Sequence, residues 1–153
     1  MNAIFRYIFF AIFFSFAAHV YAEDHATADE AVSMVHKVIA DINANGRDKV
    51  IAEINDLSVK YRDKDLYVTI TDMTGLELAH GTNKKMQNKN ILDLRDSDNK
   101  FFMRERLQTA KSQGKGWQDY NFVNPVSKEV EPKHVYFEKF EDIVVSAGVY
   151  KGK

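Results

Sequence analysis

The chain has 153 residues, 45% of them hydrophobic and 28% charged, and no cysteine, a size that allows one domain and hardly two. Its 21 basic and 22 acidic side chains give a formal net charge of -1, which excludes the global basic field that a nucleic-acid backbone or an anionic membrane requires. Without cysteine there is neither a disulfide framework nor a thiol nucleophile, so the core has to suffice unaided.

Residues 1–22 stand apart. Arg6 is followed by an apolar run from Tyr7 to Ala18, with Phe5, Phe9, Phe10, Phe13, Phe14 and Phe16 among the first sixteen positions, and then by Val20-Tyr21-Ala22 before the acidic Glu23-Asp24. This is the layout of a secretory signal peptide cleaved after Ala22. The run is shorter than the ~20 residues that span a bilayer, so cleavage is favoured over retention as an anchor. The expected working domain is 23–153, in the periplasm or outside the cell.

Thr27 and Glu30 have the spacing of a capping box, and Val32, Val35, Val38, Ile39 and Ile42 recur at helical spacing until Asn45-Gly46, which predicts a first helix. Val50, Ile51 and Ile54 predict a short second one. The period then changes to two: Leu66, Val68 and Ile70 alternate with Tyr67, Thr69 and Thr71, and Leu76, Leu78 and His80 follow the turn Asp72-Met73-Thr74-Gly75, a hairpin over 65–81. A helix is predicted over about 100–113, with Asp98 or Asn99 placed to cap it and Gly114 and Gly116 ending it. Strands at 117–124, 133–140 and 143–151 complete the chain as an antiparallel meander. Helix, hairpin, helix and three strands make an α+β domain whose five-stranded sheet carries the N-terminal helix on one face.

Enzymatic motifs are absent. No serine lies in a Gly-x-Ser-x-Gly turn, Gly114-Lys115-Gly116 is not a phosphate loop, and a His80 and Asp119 pair has no nucleophile beside it. Asp93, Asp96 and Asp98 lack the glycine and terminal glutamate of a calcium loop and read as capping residues. The histidines show no paired spacing, so neither metal nor cofactor is expected. His80 shares the phase of Leu76 and Leu78 and should face inward, where an imidazole needs a partner. On the middle helix Arg106 falls in the apolar face of Phe102, Met103, Leu107 and Ala110, where a guanidinium needs a carboxylate, a snorkelling path or an acidic ligand. Most aromatics beyond the leader lie between 101 and 150, and with Lys133 they suit a small, partly apolar ligand with one carboxylate.

Gly116-Trp117-Gln118-Asp119-Tyr120, Asn124-Pro125, Glu131-Pro132-Lys133, Tyr136 and Ser146-Ala147-Gly148-Val149-Tyr150, preceded by Asp72-Met73-Thr74-Gly75, His80 and Leu92-Asp93-Leu94-Arg95-Asp96, resemble a single Cache domain of type 2. The resemblance implies a PAS-like antiparallel sheet behind a long N-terminal helix, with a pocket on the other face for a small organic acid. It implies His80, Trp117, Tyr120, Lys133 and Tyr136 as ligand-binding residues, and the helical-face argument adds Arg106. In a regular strand Lys133 and Tyr136 point to opposite faces, and a bulge after Pro132, or a strand that begins only after Lys133, would reconcile them. Membrane sensors of this kind continue into a second spanning helix and an output domain, whereas three residues follow Tyr150 here. The expectation is therefore an exported, non-enzymatic sensor that reports through a membrane receptor or histidine kinase in trans. The alternative is an interaction module that dimerises through its N-terminal helix, or docks on such a receptor, without a ligand.

Overall fold

The computed structural model describes residues 25–151, so the predicted signal segment lies outside the described residues. The first helix, α1 (Ala28–Asn45), begins at the capping box: Thr27 Oγ1 accepts from the Glu30 amide at 3.2 Å, and the Glu30 carboxylate accepts from the Thr27 amide at 2.6 Å. Ala31, Val35, Val38 and Ile42 form its buried stripe, and Gly46, at φ 89°, turns the chain into α2 (Arg47–Asn55). Glycine is the residue that adopts this φ without strain. No helix among the described residues is long and apolar enough to cross a membrane.

Six strands follow among the described residues: β1 (Arg62–Asp63), β2 (Leu66–Asp72), β3 (Glu77–His80) and, after α3 (Phe102–Gln113), β4 (Lys115–Val123), β5 (Val130–Phe140) and β6 (Ile143–Tyr150). All pairings are antiparallel, β3 beside β2, then β6, β5 and β4. These are the five expected strands. The sixth, β1, pairs two residues with the start of β2, too few to leave a period in the sequence. As the central strand, β6 is buried at every position, which is why it reads as a nearly continuous apolar run.

The sheet separates two cores. On one face Val68, Ile70, Val145, Ala147 and Val149 pack against α1 and α2; on the other, Phe137 and Val144 pack against Phe102, Met103, Leu107 and Ala110 of α3. The expected cap of α3 is corrected: the helix starts after Phe101 without a side-chain cap. Asp96 instead accepts from the amides of Asp98, Lys100 and Asn121 at 2.9, 2.9 and 3.1 Å, pinning the preceding loop to β4. Asp93 is paired with Arg104, and Asp98 accepts from the Asn121 side chain.

Candidate ligand-binding site

Between α3 and the second face of the sheet lies a cavity of about 20 Å³, lined by Tyr67, Glu77, His80, Arg106, Tyr120 and Phe122 together with Met86, Ile91, Phe102 and Met103. That is of the order of the space one water requires. Tyr67, His80 and Phe122 also line an adjoining outer cleft of about 170 Å³ that runs past Thr82, Asn83, Pro125 and Lys128. The smaller cavity, the chamber, and the wider cleft share these three side chains.

Arg106 reaches the chamber from the apolar face of α3, as its helical position requires, and is 3% exposed. Its Nε donates to Gln118 Oε1 at 3.2 Å and its Nη1 to Ser146 Oγ at 3.4 Å. Gln118 is itself oriented, because its amide nitrogen donates to the Phe102 carbonyl at 2.8 Å. Nη2 is buried and has no hydrogen-bond partner among the described residues. A buried guanidinium nitrogen left this way is costly, and a carboxylate is the group that satisfies it best. The tyrosine at 120 stacks flat on Phe102, 4.3 Å between centroids, and the Arg106 guanidinium lies 5.3 Å from its ring.

His80 and Glu77 come together through an irregularity that simple alternation misses. The β2–β3 register shifts between Ile70 and Thr71, so that Ala79 faces Ile70 while Glu77 faces Thr71. Leu78 is the extra residue and packs toward the helix core. His80 thus shares the chamber wall with Glu77 rather than with Leu76 and Leu78, a correction to the expected grouping. His80 Nδ1 accepts from the amides of Thr82 at 3.3 Å and Asn83 at 3.1 Å, which places the imidazole proton on Nε2. Burial, with the nearby Lys133 charge, brings its pKa down to about 3, so the ring is neutral. Glu77 is 1% exposed and accepts from Thr71 Oγ1 at 2.9 Å. Burial raises its pKa to about 8 against the opposing pull of that hydrogen bond, Arg106 and Lys133.

Lys133 is 3% exposed. It stands on the chamber's face of β5, one ring behind the wall, with Nζ 3.7 Å from the Tyr67 centroid, 4.9 Å from that of Tyr150 and 6.0 Å from that of Phe122. Burial, then Arg106, hold its pKa well below the ordinary value, with Asp65 and Glu77 acting the other way. Gly148, opposite Val135 on β6, makes room for it: a Cβ there would lie 2.9 Å from Lys133 Cε and 2.5 Å from Val135 Cγ2. Tyr150 donates to the Val123 carbonyl at 2.8 Å, so at the 3.2 Å contact between hydroxyls Tyr67 is the donor.

Strand β5 is regular from Val130 to Phe140, so no bulge brings Lys133 and Tyr136 to one face. Tyr136 enters the α1 core, edge-on to His36, with its hydroxyl donating to Glu138 at 2.9 Å. Its cross-strand partner Trp117 is 39% exposed and stacks on His134, 4.2 Å between centroids. Of the residues expected at the site, the structure brings together His80, Arg106 and Tyr120, sets Lys133 behind Tyr67, and turns Trp117 and Tyr136 to the opposite face. Glu77, Tyr67, Gln118 and Ser146 were not foreseen. Two of them sit inside the quoted motifs, beside Trp117 and ahead of Ala147, and their visible work is to hold Arg106.

Solved structures share this fold. A periplasmic sensor domain of a chemotaxis protein aligns with a TM-score of 0.65 at 21% identity, over 81% of this chain and 90% of that one. A methyl-accepting chemotaxis protein from Vibrio parahaemolyticus aligns at 0.68 and 22%, over 80% and 86%. A Cache chemosensory domain, described in terms of carboxylic acid recognition, aligns at 0.64 and 22%, over 81% and 88%. No curated protein matches by sequence. The family described as single Cache domain 2 matches residues 21–152, in agreement with the helix, sheet and chamber above, and the chain belongs to that family.

Proposed function

We propose that the protein is an extracytoplasmic sensor-type domain that binds a short organic acid in the chamber between α3 and the sheet. The carrying observation is Arg106: a guanidinium buried on an apolar helix face, oriented by Gln118 and Ser146, with Nη2 left without a partner among the described residues. In this reading Nη2 meets the carboxylate, His80 Nε2–H and the Tyr120 hydroxyl donate hydrogen bonds, and Tyr67 and Phe122 form the apolar walls. Lys133 supplies a second positive charge from behind Tyr67. The acid enters through the outer cleft, and because the inner chamber is small, the Met86 side chain has to give way. A fold relative described in terms of carboxylic acid recognition supports the ligand class, not its identity. The leader-like residues 1–22 support export, and the absence of catalytic motifs in the sequence supports binding rather than turnover.

The test is a thermal-shift series on residues 23–153 with acetate, propionate, pyruvate and lactate. At a hundredfold excess over Kd a ligand stabilises by about 2.7 kcal/mol, a shift of several degrees in a domain of this size. Stabilisation by one or more of these acids is expected; no shift at millimolar concentration contradicts the reading.

A further inference from the structure

The chamber holds more ionisable groups than carboxylate recognition needs. Glu77 lines it with one oxygen bonded to Thr71, and Arg106 lines it with Nη2 unpartnered. Lys133 lies one ring away, and no hydrogen bond or ion pair to its ammonium occurs among the described residues. Each of these three side chains is buried, so the charge on any of them is felt by the others with little screening.

The surrounding groups leave these charges as the adjustable ones. On β2, Tyr67 covers Lys133, and Asp65, just before that strand, is occupied by the His25 ring at 2.6 Å and the Ala26 amide at 2.9 Å. His80 on β3 is a neutral ring fixed by two backbone amides. Arg106 on α3 is held by Gln118 and Ser146. Tyr120 on β4 and Tyr150 on β6 are phenols, the latter pushed further up by burial. Glu131 on β5 accepts from Asn124 at 2.8 Å and Ser127 at 2.5 Å. That leaves Glu77 and Lys133 as the pair whose protonation can follow a change in the chamber.

We propose that the chamber takes up its carboxylate together with a proton, which is held by Glu77 and Lys133, so that the domain responds to the acid and to acidity jointly. The inference rests on the proposed carboxylate site. The sign is fixed by electrostatics: a negative charge brought among buried groups favours the protonated form of each, the neutral acid at Glu77 and the ammonium at Lys133. Proton uptake follows whichever of the two supplies more of it. Burial already places Glu77 near half-protonation at about pH 8 and holds Lys133 well below its ordinary value. A free short-chain acid is fully ionised there, so the proton comes from solvent. Affinity then falls toward tenfold per pH unit as pH rises through this window.

The experiment is calorimetric titration of residues 23–153 at pH 8.0 with acetate, propionate, pyruvate and lactate, each in phosphate and in Tris. The difference in observed heat between the two buffers counts protons exchanged. Net uptake of a fraction of a proton per bound acid is expected, with affinity weakening from pH 7 to pH 9. Glu77→Gln, read as protons taken up per acid bound whatever its affinity, should lose a large part of the uptake, and Lys133→Met serves as the second variant. Saturable binding with no buffer dependence overturns this inference and leaves the carboxylate site standing. Uptake that persists undiminished in both variants also overturns it. Failure of all four acids to bind removes the carboxylate site and this inference with it.

Discussion

Lys133 Nζ lies 3.7 Å from the centre of the Tyr67 ring, held by aromatic faces where a carboxylate would be the ordinary partner. Tyr150 flanks it from β6, and the Tyr67 and Tyr150 hydroxyls meet at 3.2 Å. Cation–π contact of this kind contributes about 0.5–2 kcal/mol, less than full burial of an ammonium costs. The lysine is therefore a place where stability has been given up, which is characteristic of functional sites.

Gly148 makes that placement possible. The glycine to alanine change puts a Cβ against Val135 Cγ2 at 2.5 Å and the His134 carbonyl at 3.0 Å, and overpacking of this order costs about 1–3 kcal/mol. Urea denaturation of Gly148→Ala should show that loss together with weakened acid binding, because the Lys133 stem is displaced. Unchanged stability would show that the strand absorbs the methyl group without strain.

Replacement of Arg106 separates binding from folding. Methionine removes the cost of the unpaired Nη2 but leaves Gln118 Oε1 and Ser146 Oγ without their donor, two effects of opposite sign. Arg106→Met should move the denaturation midpoint little while acid affinity drops at least tenfold. A fall in the midpoint with affinity retained would make the bonds to Gln118 and Ser146 the residue's purpose.

Tyr136 enters the α1 core and Trp117 stacks on His134 on the edge strand, and neither lines the chamber. Trp117→Phe and Tyr136→Phe should leave acid affinity within about twofold, while the latter costs about 1 kcal/mol for the lost hydrogen bond to Glu138. A tenfold loss of affinity in either variant would mean that ligand is held on the helix side of the sheet.

His80 gives the stability a pH dependence of definite sign. Its folded pKa is about 3 against an ordinary 6.5, so between these values the unfolded chain binds the proton and the folded one does not. Stability is complete above pH 6.5 and falls on acidification, by about 2 kcal/mol from this group between pH 6.5 and pH 4.5. Denaturant midpoints across that window should flatten in His80→Gln. An unchanged slope would show that other groups carry the acid sensitivity.

Much of this architecture is readable before the fold is seen. The capping box of Thr27 and Glu30, the alternation of Leu66, Val68 and Ile70, and the apolar face that carries Arg106 are local patterns, and local patterns survive folding. The resemblance supplied His80 and Lys133 but also Trp117 and Tyr136, and the face of the sheet decides among them. Strand phase sets Lys133 against Tyr136, and β5 keeps that phase throughout. Glu77 was hidden by a single bulge at Leu78, which reverses the side that a period of two assigns. Tyr67 was missed because it alternates with Leu66 and Val68, which take the α1 side, and the cavity on its own side is formed only when α3 and the loop around Met86 fold over it. Neither the register shift nor the covering loop leaves a periodic trace in the sequence.

The most direct measurement of the site is a crystal structure of residues 23–153 with whichever acid gives the largest thermal shift. The expected result is a carboxylate within about 3.2 Å of Arg106 Nη2, in the chamber bounded by Tyr67, His80 and Tyr120. An acid bound on the α1 side, beside Trp117 and Tyr136, would contradict it.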